Sequence, residues 1–254
     1  MESRLSEIST LWEEVQEAHS GSGKDADLAR ERMLQRYERA IRRYLELALR
    51  DPHAVNDLYQ TFVFKFLKGD FRNADPTRGR FRALLARSLS NLVKDHHRAR
   101  QRTPLPLHEQ GLAQPDSGDD DHFMGVWRDV LVERAWEELA REQERTGRPL
   151  HTVLWIKYKE PKLTSAELAQ SLGEQLGISV TTEAYRKKLC EARSRFKNFF
   201  LDEVQRTLTD QSFESLEDEL QRLEMLEVCR QALYERYGRR DPRAGGADDA
   251  DLHP

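Results

Sequence analysis

Residues 77–102 read TRGRFRALLARSLSNLVKDHHRARQR. At about 100° per residue, Phe81, Leu84, Leu85, Ser88, Leu89 and Leu92 fall in one narrow arc, which predicts a helix with that arc buried. Arg87, Asn91, Lys94 and Arg98 recur at i, i+4, i+7 and i+11 on a flank clear of it. Between Arg78 and Arg102 eight Arg/Lys face a single acid, Asp95, a local charge of +7 in a chain of net charge −4. Cations in such a stripe neutralise phosphates, and the Asn91 amide offers a donor and an acceptor to a base. A solvated helix face is the other reading of a charge run, but the scarcity of acids departs from an ordinary salt-bridged surface. His96 and His97 point about 100° apart on a helix, which favours surface or DNA-facing roles over a shared metal, and His97 joins the candidate stripe.

The bulk composition agrees with a helical reading. The 254 residues suit two units of ordinary domain size. With 34% charged residues and only 13 Gly and 9 Pro, the chain reads as all-α. No apolar run reaches the length of a membrane helix, and the N-terminus lacks the order of a signal peptide, so the expected location is cytoplasmic, without membrane insertion. Cys190 and Cys229 stand too far apart for a disulfide framework or a clustered zinc site and are read as reduced. No nucleophile constellation, phosphate-binding glycine loop or metal-ligand spacing points to catalysis, so no catalytic residue, metal or cofactor is assigned.

Periodicity organises the chain. Leu5, Ile8, Leu11, Trp12 and Val15 form one helical stripe over residues 5–19. A second helix is expected from Asp27 to Leu49, with Leu34, Tyr37, Ile41, Tyr44, Leu45 and Ala48 inward. A third opens with Asp51 as N-cap and Pro52 in the first turn, carries Val55, Leu58, Tyr59, Phe62 and Phe66, and exits at Gly69. After the turn NADPTRG comes the basic helix, and residues 103–122, rich in Pro, Gly and Asp, read as a linker. A second helical block begins near Phe123 and runs to about Val204. One further amphipathic helix, Phe213 to Tyr237, precedes a polar tail. The expected division is a first domain at 1–102, a linker at 103–122, a second domain at 123–205 and a C-terminal extension at 206–254.

Within the second block lies another basic island. From Thr182 to Lys197 six Arg/Lys face two acids, which leaves the rest of the chain at −15. Thr164 and Glu167 have the spacing of a capping box, and Leu168, Leu172 and Leu176 share a stripe that ends at Gly177. The next helix is expected to start at Thr181 or Thr182, with Tyr185, Leu189, Ala192, Phe196 and Phe199 inward. Thr182, Arg186, Lys187 and Arg193 then lie outward or on the flanks, and two helices around a glycine turn with a basic second helix have the pattern of a helix-turn-helix.

Taken together, the two islands resemble the extracytoplasmic-function (ECF) sigma factors of bacterial RNA polymerase. The segment HAVNDLYQTFVFKFLKGDFRNADPTRGRFRALLARSLSNLVKDHHRARQRTPLPLHE is similar to region two of that family. Asp57, Leu58 and Gln60 match its D-L-x-Q helix, Asp75 to Gly79 its D-P-x-R-G turn, and Phe81, Arg82, Leu85, Asn91, Asp95 and Arg98 the elements that follow. TVLWIKYKEPKLTSAELAQSLG and YRKKLCEARSRFKNFF resemble region four, and the likeness covers roughly residues 9–205. It implies two helical domains, a region-two bundle and a region-four helix-turn-helix, joined by a flexible linker. It also implies a non-enzymatic partner of core RNA polymerase and promoter DNA, with an anti-sigma protein or other regulator as a further partner. Asn56, Asp57 and Gln60 would contact the polymerase clamp. Arg87, Asn91, Lys94, His97 and Arg98 would hold the minus-ten element as it melts, and Thr182, Arg186, Lys187 and Arg193 would enter the major groove at the minus-thirty-five element.

Three departures accompany the resemblance. Thr61 stands where an acid often follows the Gln, GEQLG doubles the usual Leu-Gly between the region-four helices, and VTTEAY is two residues longer than the common turn. A helix-turn-helix regulator that does not recruit polymerase and a helical scaffold for a partner protein are the alternative readings.

Overall fold

The computed structural model describes residues 24–68, 81–102, 119–208 and 210–243. Among them are nine helices and no strand: α1 Lys24–Ala48, α2 Pro52–Lys68, α3 Phe81–Arg102, α4 Asp119–Thr146, α5 Leu150–Lys159, α6 Ser165–Leu176, α7 Thr182–Gln205, α8 Phe213–Arg222 and α9 Leu226–Arg236. The expected helix at 5–19, the exit at Gly69, the turn around Asp75 to Gly79 and the polar tail beyond Arg243 lie outside the described residues. Two units are distinguished, Met1–Val130 with Leu208–Asp210, and Leu131–Thr207 with Gln211–Pro254.

In the first unit α1 buries Met33, Tyr37, Ala40, Ile41, Tyr44 and Leu45, a stripe at three- and four-residue spacing. Leu34 and Ala48, expected inward, are half-buried. The start of α2 follows from its sequence. The Asp51 carboxylate accepts a hydrogen bond from the His53 N–H at 2.9 Å, and Pro52 occupies the first turn, where no amide partner is needed. Ala54, Val55, Leu58, Phe62 and Phe66 are buried; Tyr59 is half-buried, with the Arg42 guanidinium 3.8 Å from its ring centroid.

The linker expectation is corrected at its end. Residues 119–122 are helical, and a run of aspartates suits the positive start of a helix. The first turns of α4 also belong to the first unit. Phe123, Val126, Trp127 and Val130 are buried, with Trp127 5.0 Å from the Tyr37 ring and Phe123 5.8 Å from the Tyr44 ring. Each such fully buried side chain contributes roughly 1.5–3 kcal/mol.

The second unit is built around α7, which packs on α5, α6, α8 and α9. Its α5 begins after Pro149, which makes no side-chain cap. Gln143 of α4 supplies the missing acceptor: its Oε1 takes the Thr152 N–H at 2.9 Å while its Nε2 donates to the Thr152 hydroxyl at 2.8 Å. A Glu142 carboxylate, 7% exposed, receives the Arg195 guanidinium of α7, its Nε at 3.0 and 3.1 Å from the two oxygens.

The single C-terminal helix expected at 213–237 is two helices. Glu224 adopts φ 58, the Met225 N–H reaches back to the Leu220 carbonyl at 2.9 Å, and the Glu224 N–H reaches the Gln221 carbonyl at 3.1 Å. Those two bonds make a Schellman turn, and they end α8 despite the absence of glycine or proline. Both helices pack against α7 and against each other, burying Leu216, Leu220, Leu223, Leu226, Cys229 and Leu233.

Candidate nucleic-acid interface

Helix α3 carries the first candidate surface. It packs on both α1 and α2, so its buried face is wider than one stripe. Leu85, Leu89 and Leu92 are buried as expected, together with Ala86, Ser90 and Val93, whereas Leu84 and Ser88 are half-buried and correct the expected arc. The side chain of Phe81 lies outside the description. On the opposite flank Arg87, Asn91 and Arg98 are exposed and Lys94 and His97 half-buried. The five candidates therefore share an accessible side of one helix. Arg98 lies 3.3 Å from the Asp95 carboxylate, an exposed pair that a phosphate can displace at little cost.

Not every cation of the island faces out. Arg82 is buried, its guanidinium 5.9 Å from the Trp127 ring centroid. Trp127 stands 45 positions away in sequence, so only the fold reveals this assignment. His96 is half-buried, and its Nε2 is shielded from solvent with no hydrogen-bond partner among the described residues. Burial lowers its pKa from 6.5, with the nearby His97 and Arg100 acting in the same direction and Asp51 and Asp57 opposing them. The His96 and His97 rings meet edge-on at 5.9 Å. Among the described residues no group of His, Cys, Asp and Glu is arranged to hold a metal.

The second surface is the outer face of α2. Asn56, Asp57 and Gln60 are all exposed. Asn56 accepts a hydrogen bond from Arg42 at 3.2 Å, and the Thr61 hydroxyl donates to the Asp57 carbonyl at 2.8 Å. Phe64 and Leu67 continue the line of Asp57 and Gln60 at i+7 and i+10, and Phe64 is 65% exposed. The sequence reading missed both. Their signal was an apolar excess on α2, too wide for a single buried stripe.

The third surface is the first half of α7. The Thr181 hydroxyl accepts the Ala184 N–H at 3.2 Å and caps the helix, resolving the expected choice between Thr181 and Thr182. Arg186 and Lys187 are exposed, and Thr182 and Arg193 are half-buried. Tyr185, Ala192 and Phe196 are buried as expected; Leu189 and Phe199 are half-buried. Burial pushes the Tyr185 phenol up to about 12, opposed by the Arg193 cation.

The turn before α7 explains the doubled Leu-Gly. The capping box forms, with the Thr164 N–H bound to the Glu167 carboxylate at 2.8 Å, and those bonds lower the Glu167 pKa. At the other end Gly177 adopts φ 66, while Gly173 lies so close to the returning chain that a Cβ there would meet the Ile178 carbonyl oxygen at 2.7 Å. One glycine allows the left-handed turn and the other the close approach. Leu168 and Leu172 are buried, but Leu176, expected on their stripe, is 38% exposed beside the turn.

No described helix is long and apolar enough to cross a membrane. No curated protein and no solved structure matches the chain. Residues 33–103 match the family model described as Sigma-70 region 2, a span that takes in most of α1, all of α2 and α3, and with them the first two surfaces. Members of that family are transcription initiation factors without enzymatic activity, and it is their region 2 that binds core RNA polymerase and promoter DNA. The match covers less than a third of the chain, and what it shows is that this segment is similar to Sigma-70 region 2.

Proposed function

We propose that the chain is a sigma factor of the extracytoplasmic-function type that binds core RNA polymerase and directs it to promoters. The observation that carries this reading is the accessible cationic stripe of α3 within the segment that matches Sigma-70 region 2. Asn56, Asp57 and Gln60 dock on the polymerase clamp, with Phe64 as an apolar neighbour in line with them. Arg87, Lys94 and Arg98 track the backbone of the melted minus-ten strand, and Asn91 and His97 meet its unstacked bases. The helices α6 and α7 act as a region-four helix-turn-helix, with Thr182, Arg186, Lys187 and Arg193 at the minus-thirty-five element. The accessibility of Arg186 and Lys187 supports this part.

A second reading has one observation in its favour. Thr61 turns its hydroxyl back to the Asp57 carbonyl instead of presenting a carboxylate, which suits a DNA-binding regulator that no longer recruits polymerase. Co-purification with core polymerase decides between them. The sigma reading expects a stable complex that Asp57→Arg disrupts; a folded, full-length chain that never associates with core contradicts it.

A further inference from the structure

The contacts of Arg236 give the C-terminal extension a task. This side chain, 19% exposed, reaches from the last turn of α9 to three positions on one face of α7. Its Nη2 donates to the Asn198 carbonyl at 3.0 Å and to the Asn198 Oδ1 at 3.3 Å, and pairs with the Asp202 carboxylate at 2.8 Å. Its Nη1 donates to the Gln205 Oε1 at 3.0 Å. Gln205 in turn donates to the Tyr237 hydroxyl at 3.3 Å, and that hydroxyl donates to the Gln211 carbonyl. Beneath this network Phe200, Leu201 and Val204 of α7 and Leu216, Leu220 and Leu233 of the extension are fully buried.

We propose that α8 and α9 form a brace that stiffens the C-terminal half of the DNA-facing helix α7, with Arg236 as its positioning residue. The inference rests on the reading of α7 as the helix that enters DNA. The contacts fall between Asn198 and Gln205, whereas Arg186 and Lys187 are exposed in the first half of the same helix. The extension therefore holds α7 without covering those two cations. Asn198 stands 12 positions beyond Arg186, about 18 Å along the axis at 1.5 Å per residue, so a bend of about 5° in the braced half moves Arg186 by about 1.5 Å. Arginine suits the task because its planar fork engages several acceptors at once, which a lysine ammonium cannot do in the same geometry.

The test uses the full-length chain and a duplex that the wild-type protein selects from a random-sequence library. Arg236→Ala raises amide exchange across residues 198–205 about tenfold. It also weakens the duplex several-fold while leaving the slope of affinity against salt unchanged, since no phosphate contact is removed. Arg236→Lys falls between alanine and wild type. Should Arg236→Ala fail to fold, Asn198→Ala, which removes one acceptor and spares the Asp202 pair, gives smaller changes in the same directions. Unchanged exchange overturns the brace, as does increased exchange with unchanged affinity. A reduced salt slope overturns it in another way, by making Arg236 itself a phosphate contact. The pair Arg186→Ala and Lys187→Ala is measured alongside: unchanged affinity there sinks the reading of α7 and the DNA half of the proposal, and in that case alone the exchange result decides whether Arg236 holds α7.

Discussion

Glu224 closes α8 in the left-handed region, at φ 58, where a Cβ crowds the backbone. Glu224→Gly removes that strain and is expected to stabilise the second unit by about 1 kcal/mol, read as a rise in Tm. Gly173 works in the opposite direction. A Cβ at that position would meet the Ile178 carbonyl oxygen at 2.7 Å, and the obstacle is backbone, so Gly173→Ala shifts the turn before α7 and costs about 1–3 kcal/mol by denaturant titration. His96 brings a pH dependence to the first unit. Its folded pKa lies below the ordinary 6.5, so the unfolded chain takes up the proton first as pH falls. The associated stability is present above pH 6.5, is lost as pH drops toward the folded pKa, and then levels off. Titrating stability from pH 7.5 to 5.5 tests this, and His96→Gln should flatten the slope.

At the scale of elements, α3 divides its labour between a buried face and a cationic flank. Replacing Arg87, Lys94 and Arg98 together by Ala is expected to weaken promoter-strand binding by the holoenzyme and to lower its salt slope by up to about 2, at about 0.7 per phosphate contact on single strands. Unchanged binding would remove the DNA assignment of this helix. The ion pair joining α4 to α7 belongs to the same scale. Arg195→Ala leaves the buried Glu142 carboxylate without its guanidinium, and because Arg195 is partly exposed the expected loss is about 2 kcal/mol, short of a fully buried pair. The elements legible in sequence were those with a local mark. Asp51, Thr164 and Thr181 cap helices through bonds made within three residues. The break at Glu224 was not legible, since Leu216, Leu220, Leu223 and Leu226 keep helical spacing across it and no glycine or proline intervenes. The outward Leu176 and the inward Arg82 were missed for a related reason. Which face a residue occupies there depends on a turn or on a tryptophan distant in sequence.

For the molecule as a whole, a net charge of −4 conceals two basic islands, one on α3 and one on α7, in a body that carries the opposite sign. Such a distribution would keep the proposed polyanion contact local, because like charge elsewhere repels a polyanion. On α2 the residues singled out in sequence, Asn56, Asp57 and Gln60, are exposed, while the apolar continuation of that face through Phe64 required knowing which side of α2 is covered. The first island and this face both fall inside the span that matches Sigma-70 region 2, and the proposed function gives the two one role. In vitro transcription with purified core polymerase on a genomic promoter library tests that role most directly. The account predicts initiation from a restricted set of promoters, dependent on the added chain and lost in both Asp57→Arg and the α3 triple variant; a folded, full-length chain that neither binds core nor changes the start sites of transcription would contradict it.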